Sequence, residues 1–141
     1  MNDRYLYRAK RTDNGEWVQG ALFNGESHCI IGQEIKFSPY TEHECKIVGY
    51  KVDRDTICQC TGLKDKNGKL IWENDVVAYW DTYSTESGYA EADCIGKVVW
   101  DDETISFQVT NRLSAESYEV LDECSVIGNK FDNPELLESE E

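Results

Sequence analysis

Proline, histidine and basic residues are all scarce in this chain of 141 residues. With only 2 prolines and 10 glycines, the sequence has no segment composed like a long flexible linker. Long apolar runs are missing too, and nothing approaches the roughly 20 residues that span a bilayer. The first ten residues lack the apolar centre of a signal peptide, so we expect a cytoplasmic protein whose six cysteines stay reduced.

The shortage of cations leaves the chain strongly acidic. It has 14 Lys and Arg against 28 Asp and Glu, a formal net charge of -14. Binding to nucleic acid depends on clustered cations, so direct nucleic-acid binding is disfavoured, and no membrane binding is expected. An acidic surface suits solubility, a basic protein partner, or mimicry of a phosphate backbone. We therefore expect an unidentified protein partner, with a host protein as one option, and leave a homo-oligomer open.

What the sequence does contain is a succession of short strands and tight turns. Asn14-Gly15 predicts a hairpin with Thr12 opposite Trp17, and Asn24-Gly25 predicts a second turn. The polar run at residues 53–55 predicts a hairpin in which Cys60 faces Ile47 and Cys58 faces Gly49. Residues 81–93 are polar and acidic and are interpreted as a long surface loop. Pro134 favours a short C-terminal helix, capped by Asp132 or Asn133 and packed through Leu136 and Leu137.

The stretch "TGLKDKNGKLIWENDVV", residues 61–77, carries the densest turn signals. A two-residue turn at Asn67-Gly68 would pair Lys66 with Lys69. In that register one buried face is shared by Leu63, Leu70 and Trp72. Asn74 tolerates left-handed φ, and Asp75 can accept backbone N–H bonds, so this pair is expected to launch the next strand.

The same stretch closely resembles the signature of the YopX family, as do "RAKRTDNGEWVQGAL", "VDRDTICQCTGL" and "VIGNKFDNPELL" elsewhere in the chain. Asn74 stands where the family usually has Gly. The resemblance implies a mainly β fold with an SH3-like barrel over residues 61–141, and a β-hairpin region over residues 1–60 packed on it as one compact unit. It also implies an origin in a bacteriophage or prophage. It implies no established activity.

Four soft ligands, His43, Cys45, Cys58 and Cys60, are the best metal candidates. The predicted strand register spreads them along a hairpin, and no Cys-x-x-Cys turn is present, which argues against a zinc site. Cysteine catalysis lacks a paired base, and no Gly-rich phosphate loop occurs. We expect no catalytic residues and no cofactor.

Aromatic residues are concentrated between residues 72 and 89. Trp80, Tyr83 and Tyr89 are the candidates for an interaction surface, while the alternative is that members of the group belong to the core. The leading hypothesis is a non-enzymatic interaction module. An acidic DNA mimic that inhibits a host DNA-binding protein is the alternative, and a metal-dependent enzyme is the third option.

Overall fold

The protein is mainly β, as the sequence predicts. The structure, a computed structural model, describes residues 5–36, 45–111, 117–119 and 123–138. Its strands are β1 (Tyr7–Lys10), β2 (Trp17–Asn24), β3 (Cys29–Lys36), β4 (Cys45–Val52), β5 (Cys58–Lys64), β6 (Leu70–Trp72), β7 (Asp75–Thr85), β8 (Gly88–Asp101), β9 (Ser106–Asn111), β10 (Ser117–Glu119) and β11 (Ser125–Asn129). The chain divides into two compact units, Met1–Cys60 and Thr61–Glu141.

The first unit is an antiparallel meander that curls back on itself. β1 pairs with β2, β2 with β3, and β3 with β4. A bridge between Arg11 and Val52 then joins the end of β4 to the end of β1. The curled sheet encloses a small apolar core of Ala9, Val18, Cys29, Ile31 and Val52.

The first hairpin forms at the predicted place, but its predicted register is wrong. Trp17 lies opposite Lys10 and not Thr12, and the loop is closed by a bond from Arg11 N to Glu16 O. Asn14 Oδ1 accepts the N–H of Glu16, and Gly15 has a φ of 71°. These two residues therefore stabilise a wider loop than the predicted two-residue turn. The shift of two positions leaves every side chain on its predicted face.

The hairpin predicted at residues 53–55 is also wrong. Gly49 on β4 pairs with Gly32 on β3, whereas Cys58 on β5 pairs with Arg8 on β1. Residues Arg54–Thr56 form a 3-10 turn in which the Asp53 side chain accepts the N–H of Asp55. The hydroxyl of Thr56 accepts the N–H of Lys10, so this turn carries the chain from the end of β4 to the edge of β1.

The second unit contains a five-stranded antiparallel sheet in the order β10-β9-β8-β7-β11. Its core is formed by Ile71, Val77, Val98, Val109 and Cys124. Within the described ranges no ladder joins β10 to β11, so the barrel predicted for residues 61–141 is not closed there.

Within the described residues, helical structure is confined to short 3-10 turns. The predicted C-terminal helix is a single 3-10 turn, Pro134–Leu137, preceded by Asn133. Asn133 makes no side-chain capping bond to that turn; its Oδ1 accepts the N–H of Asn129 instead. In the part of the chain that the structure describes, no helix has the length and apolar character needed to cross a bilayer.

Candidate functional site

The most prominent feature of the second unit is a two-stranded extension of its sheet. β7 and β8 pair continuously from Val76↔Lys97 to Thr85↔Gly88. β11 pairs with β7 only as far as Ala78, and β9 pairs with β8 only from Gly96 onward. Among the described strands, residues 79–94 therefore pair only with each other. Seven residue pairs make this β7–β8 arm (residues 79–94) about 23 Å long.

The prediction that residues 81–93 form a surface loop is wrong. Both sides of this segment are extended strand, and only Glu86 and Ser87 lie between them. Gly88 has a φ of 124°, a conformation that L residues rarely adopt, and it follows the turn directly. The signal available in the sequence was Ser87-Gly88, a common turn dipeptide, between two tyrosine-containing runs.

The arm combines exposed aromatic surface with charge of a single sign. Trp80 leaves 59% of its surface exposed although it is among the largest apolar side chains. Residues 79–94 include four carboxylates and no Lys, Arg or His; the acidic members are Asp81, Glu86, Glu91 and Asp93. The arm is thus an acidic strip that displays an indole.

The strand register separates the three predicted interaction residues. Trp80 pairs with Asp93 and Ser84 with Tyr89, so positions 80 and 89 lie on one face of the arm. Tyr83 pairs with Ala90, which places position 83 on the opposite face. The side chains of Tyr83 and Tyr89 lie outside the described residues. The backbone therefore brings together two of the three positions and not the third.

The four candidate metal ligands are not gathered into one described cluster. His43 lies outside the described residues, and only the backbone of Cys45 is described, at the start of β4. Cys58 and Cys60 are fully buried on β5, which pairs with β1 and not with β4. The Cys58 thiol donates to the Thr56 carbonyl. Among the described residues no group of three or more His, Cys, Asp and Glu side chains could hold a metal ion.

The polar turn between β5 and β6 is organised by Asp65, a residue that the sequence analysis did not single out. Its Oδ1 accepts the N–H groups of Asn67 and Lys69, each at 2.9 Å. Its Oδ2 accepts the N–H of Val126 at the same distance. Gly68 N donates to Asp65 O, and Gly68 has a φ of 82°. One carboxylate therefore closes the turn and ties it to β11.

Burial and hydrogen bonding act on Asp65 in opposite directions. Only 5% of its surface is exposed. Burial alone would raise the pKa of this carboxyl, but the three backbone N–H donors from Val126, Lys69 and Asn67 outweigh burial and hold its pKa below the ordinary value. The residue is therefore an ionised structural carboxylate and does not resemble a general acid.

The second turn of the signature uses Asn74 and Asp75. Asn74 has a φ of 70°, in the left-handed region, and its N–H donates to Val98 O. Asp75 is almost completely buried, and its Oδ2 accepts the N–H of Trp72 at 2.8 Å. Together with Asn67 and Gly68, these residues fix the course of the backbone from β5 to β7.

The chain resembles known proteins both in sequence and in structure. The family model described as YopX protein matches residues 6–138. The chain belongs to the YopX family. Among solved structures it is similar to protein EF1440 from Enterococcus faecalis, with 27% identity, a TM-score of 0.53, and coverage of 94% of this chain and 96% of that one. No curated protein matches the chain.

The left-handed φ of Asn74 accounts for its place in a YopX signature that usually has Gly there. We expect Asn74→Gly to change the free energy of unfolding by less than about 0.5 kcal/mol, because both residues tolerate this conformation. Asn74→Val should lower it by about 1–2 kcal/mol, since a β-branched residue is strained at positive φ. Urea denaturation of the two variants checks this, and equal stability of both would contradict the strain argument.

Proposed function

We propose that this YopX-family protein is a non-enzymatic interaction module that binds a basic protein through the β7–β8 arm. The observation that carries the proposal is the pairing pattern: residues 79–94 leave the sheet as a two-stranded ribbon with an exposed Trp80. An isolated two-stranded ribbon is only marginally stable in water. A partner packed on it would stabilise it in the way that a third strand stabilises a sheet.

The composition of the arm supports a partner of opposite charge. Four carboxylates and no cation attract a basic surface and steer its approach, while an exposed indole supplies the large contact area that interface anchors provide. An origin in a bacteriophage or prophage, and action on a host protein in the bacterial cytoplasm, are further parts of the proposal that rest on the family resemblance. A second copy of the chain carries the same net charge of -14, so a homo-oligomer through this arm is disfavoured.

The test is capture of partners from a bacterial lysate by the tagged full chain and two variants. Trp80→Ala should reduce the yield of a basic partner about tenfold, in line with the loss of an interface anchor. Phe23→Ala is the matched control, because Phe23 is an aromatic on β2, 64% exposed, and lies outside the arm. The yield should also fall as salt rises from about 0.05 to 0.5 M, because salt screens exposed charges. Equal yields from Trp80→Ala and the wild-type protein would contradict the proposal.

A second candidate function is an acidic decoy for a host DNA-binding protein. It is favoured by the net charge of -14 together with an arm that has no cation. The two functions differ in one measurement: a decoy and duplex DNA compete for the captured partner, whereas an interaction at another surface of the partner leaves DNA binding unchanged.

The strand order of the first unit also bears on its fold family. We infer that the first unit, and not the second, has the SH3-like arrangement. Four meander strands are followed by a 3-10 turn, and the fifth strand pairs with the first. This order supports the inference, as does the bridge that brings the end of β4 back to β1.

A further inference from the structure

The first unit contains a cleft that is independent of the arm. Its volume is about 270 Å³. It lies where the β1–β2 loop, the β2–β3 turn and the 3-10 turn after β4 come together. Thr12 and Ser27 contribute hydroxyls, Lys51 and Arg54 contribute cations, and His28 contributes an imidazole. The buried residues Cys29 and Val52 line its inner side.

Hydrogen bonds hold the walls of the cleft in place. The guanidinium of Arg54 donates to Asn24 Oδ1 at 2.9 Å and to the backbone oxygens of Gly25 and Glu26 at 2.6 and 3.3 Å. Thr12 N donates to Lys51 O on the other side. A wall that is already fixed before binding saves the ordering cost that a mobile loop would incur.

The cleft is positively charged in a protein that is strongly acidic. None of the described residues that line it carries a carboxylate. All three acceptors of Arg54 are uncharged oxygens, so the hydrogen bonds position this cation without neutralising it. The ammonium of Lys51 forms no ion pair or hydrogen bond with any residue that the structure describes. The Lys51 ammonium is therefore available to an anion, and Arg54 contributes an unneutralised positive charge to the cleft.

From this lining we propose that the cleft binds a carboxylate-bearing ligand, held by the Lys51 ammonium with the Ser27 hydroxyl and the His28 ring as further partners. The volume is slightly below the roughly 300–1,000 Å³ of most small-molecule sites, which suits one acidic side chain or a small dicarboxylate. Arg54 already uses both terminal nitrogens on backbone and amide oxygens, so its bidentate fork, which can hold a carboxylate or a phosphate, is occupied, and the Lys51 ammonium is the cation left to contact the ligand. No Trp, Tyr or Phe is among the described residues that line the cleft, which argues against proline-rich peptides.

The experiment is a titration of the isotope-labelled full chain, followed by the backbone amide resonances of Thr12, Ser27 and Lys51. Three probes are used at equal ionic strength: the capped peptide acetyl-Gly-Glu-Gly-amide, glutarate and inorganic phosphate. Saturable chemical-shift changes, with tighter binding of the peptide than of glutarate, support an acidic side chain of a peptide as the ligand. Tighter binding of glutarate supports a free dicarboxylate. Phosphate binding as tight as either carboxylate would overturn the proposal, as would the absence of saturable shifts.

Two lysines on β4 provide a matched pair of variants. Lys51→Met should weaken binding of the better carboxylate probe about fivefold, the range for loss of one exposed charge contact. Lys46→Met removes another exposed lysine of the same strand, one that is not among the residues lining the cleft, and it should leave binding unchanged. Equal affinities of Lys51→Met and the wild-type protein would refute the assigned site, even if a carboxylate binds elsewhere.

Discussion

Replacing Asp65 with alanine is expected to lower the free energy of unfolding by about 3–5 kcal/mol, the largest effect of any polar substitution considered for this chain. The carboxylate accepts three backbone N–H groups and has only 5% of its surface exposed. Alanine leaves those donors without their acceptor, and each buried donor that is left unsatisfied costs about 1–3 kcal/mol. Asp65→Asn should cost less, because its amide oxygen still accepts some of these bonds.

The matched control is Asp101→Ala. Asp101 Oδ1 accepts a single N–H, from Glu103, in an exposed turn. Its loss should cost about 0.5–1 kcal/mol, since water replaces the acceptor there. Both variants are compared by urea denaturation monitored through tryptophan fluorescence. Similar losses in the two variants would show that Asp65 does not organise the turn.

The contribution of Asp65 should also depend on pH in a defined direction. Its folded pKa lies below the ordinary value, so the ionised form stabilises the protein at every pH above the unfolded value of about 3.9. That stabilisation is lost as the pH falls through the lower, folded pKa. The stability difference between the wild-type protein and Asp65→Asn should therefore be largest near pH 7 and shrink toward pH 3. A difference that stays constant over this range would contradict the assignment of an ionised carboxylate.

Local turn chemistry placed the hairpins but did not determine their registers. Asn14-Gly15 and Asn67-Gly68 both mark turns, yet neither forms the two-residue turn that such a pair most often makes. In each case the glycine takes positive φ within a longer loop, of four residues in the first and three in the second. The side chains of Asn14 and Asp65 accept additional hydrogen bonds that close these loops. Those bonds form only once the loop has folded.

Strand pairings between segments that are distant in sequence were harder to predict than the local turns. β5 follows β4 closely, and a hairpin between them is the local expectation, but β5 pairs with β1 about 50 residues earlier. The arm was misinterpreted for a related physical reason. Its strands have no sheet neighbour on either side among the described residues, and the polar composition of residues 81–93 resembles that of a loop.

The wrong prediction for residues 81–93 affects the proposed interaction surface. Assigning residues 81–93 to a loop leaves Tyr83 and Tyr89 in an irregular segment after Trp80, whereas the ribbon arranges the three positions on two defined faces. The cleft was beyond prediction because it needs three turns of the first unit to meet, and the sequence alone places those turns far apart.

Ile71→Ala and Leu63→Ala distinguish the burial predicted for the β5–β6 hairpin from the burial observed. The sequence-based register puts Leu63 on the buried face with Leu70 and Trp72. In the structure Trp72 is buried, as predicted, but Ile71 is fully buried as well, while Leu63 is 43% exposed. Asp65 N donates to Lys69 O, which closes a three-residue loop and not the predicted two-residue turn.

Ile71→Ala should therefore lower the free energy of unfolding by about 2–5 kcal/mol, because it opens a cavity among Val77, Val98, Val109 and Cys124. Ile71→Val, which removes one methylene, should cost about 0.5–1.5 kcal/mol and shows that the loss scales with volume. Leu63→Ala should cost less than about 1 kcal/mol, because much of that side chain already contacts water. Urea denaturation of the three variants checks this: a larger loss for Leu63→Ala than for Ile71→Ala would contradict the observed burial of the two side chains.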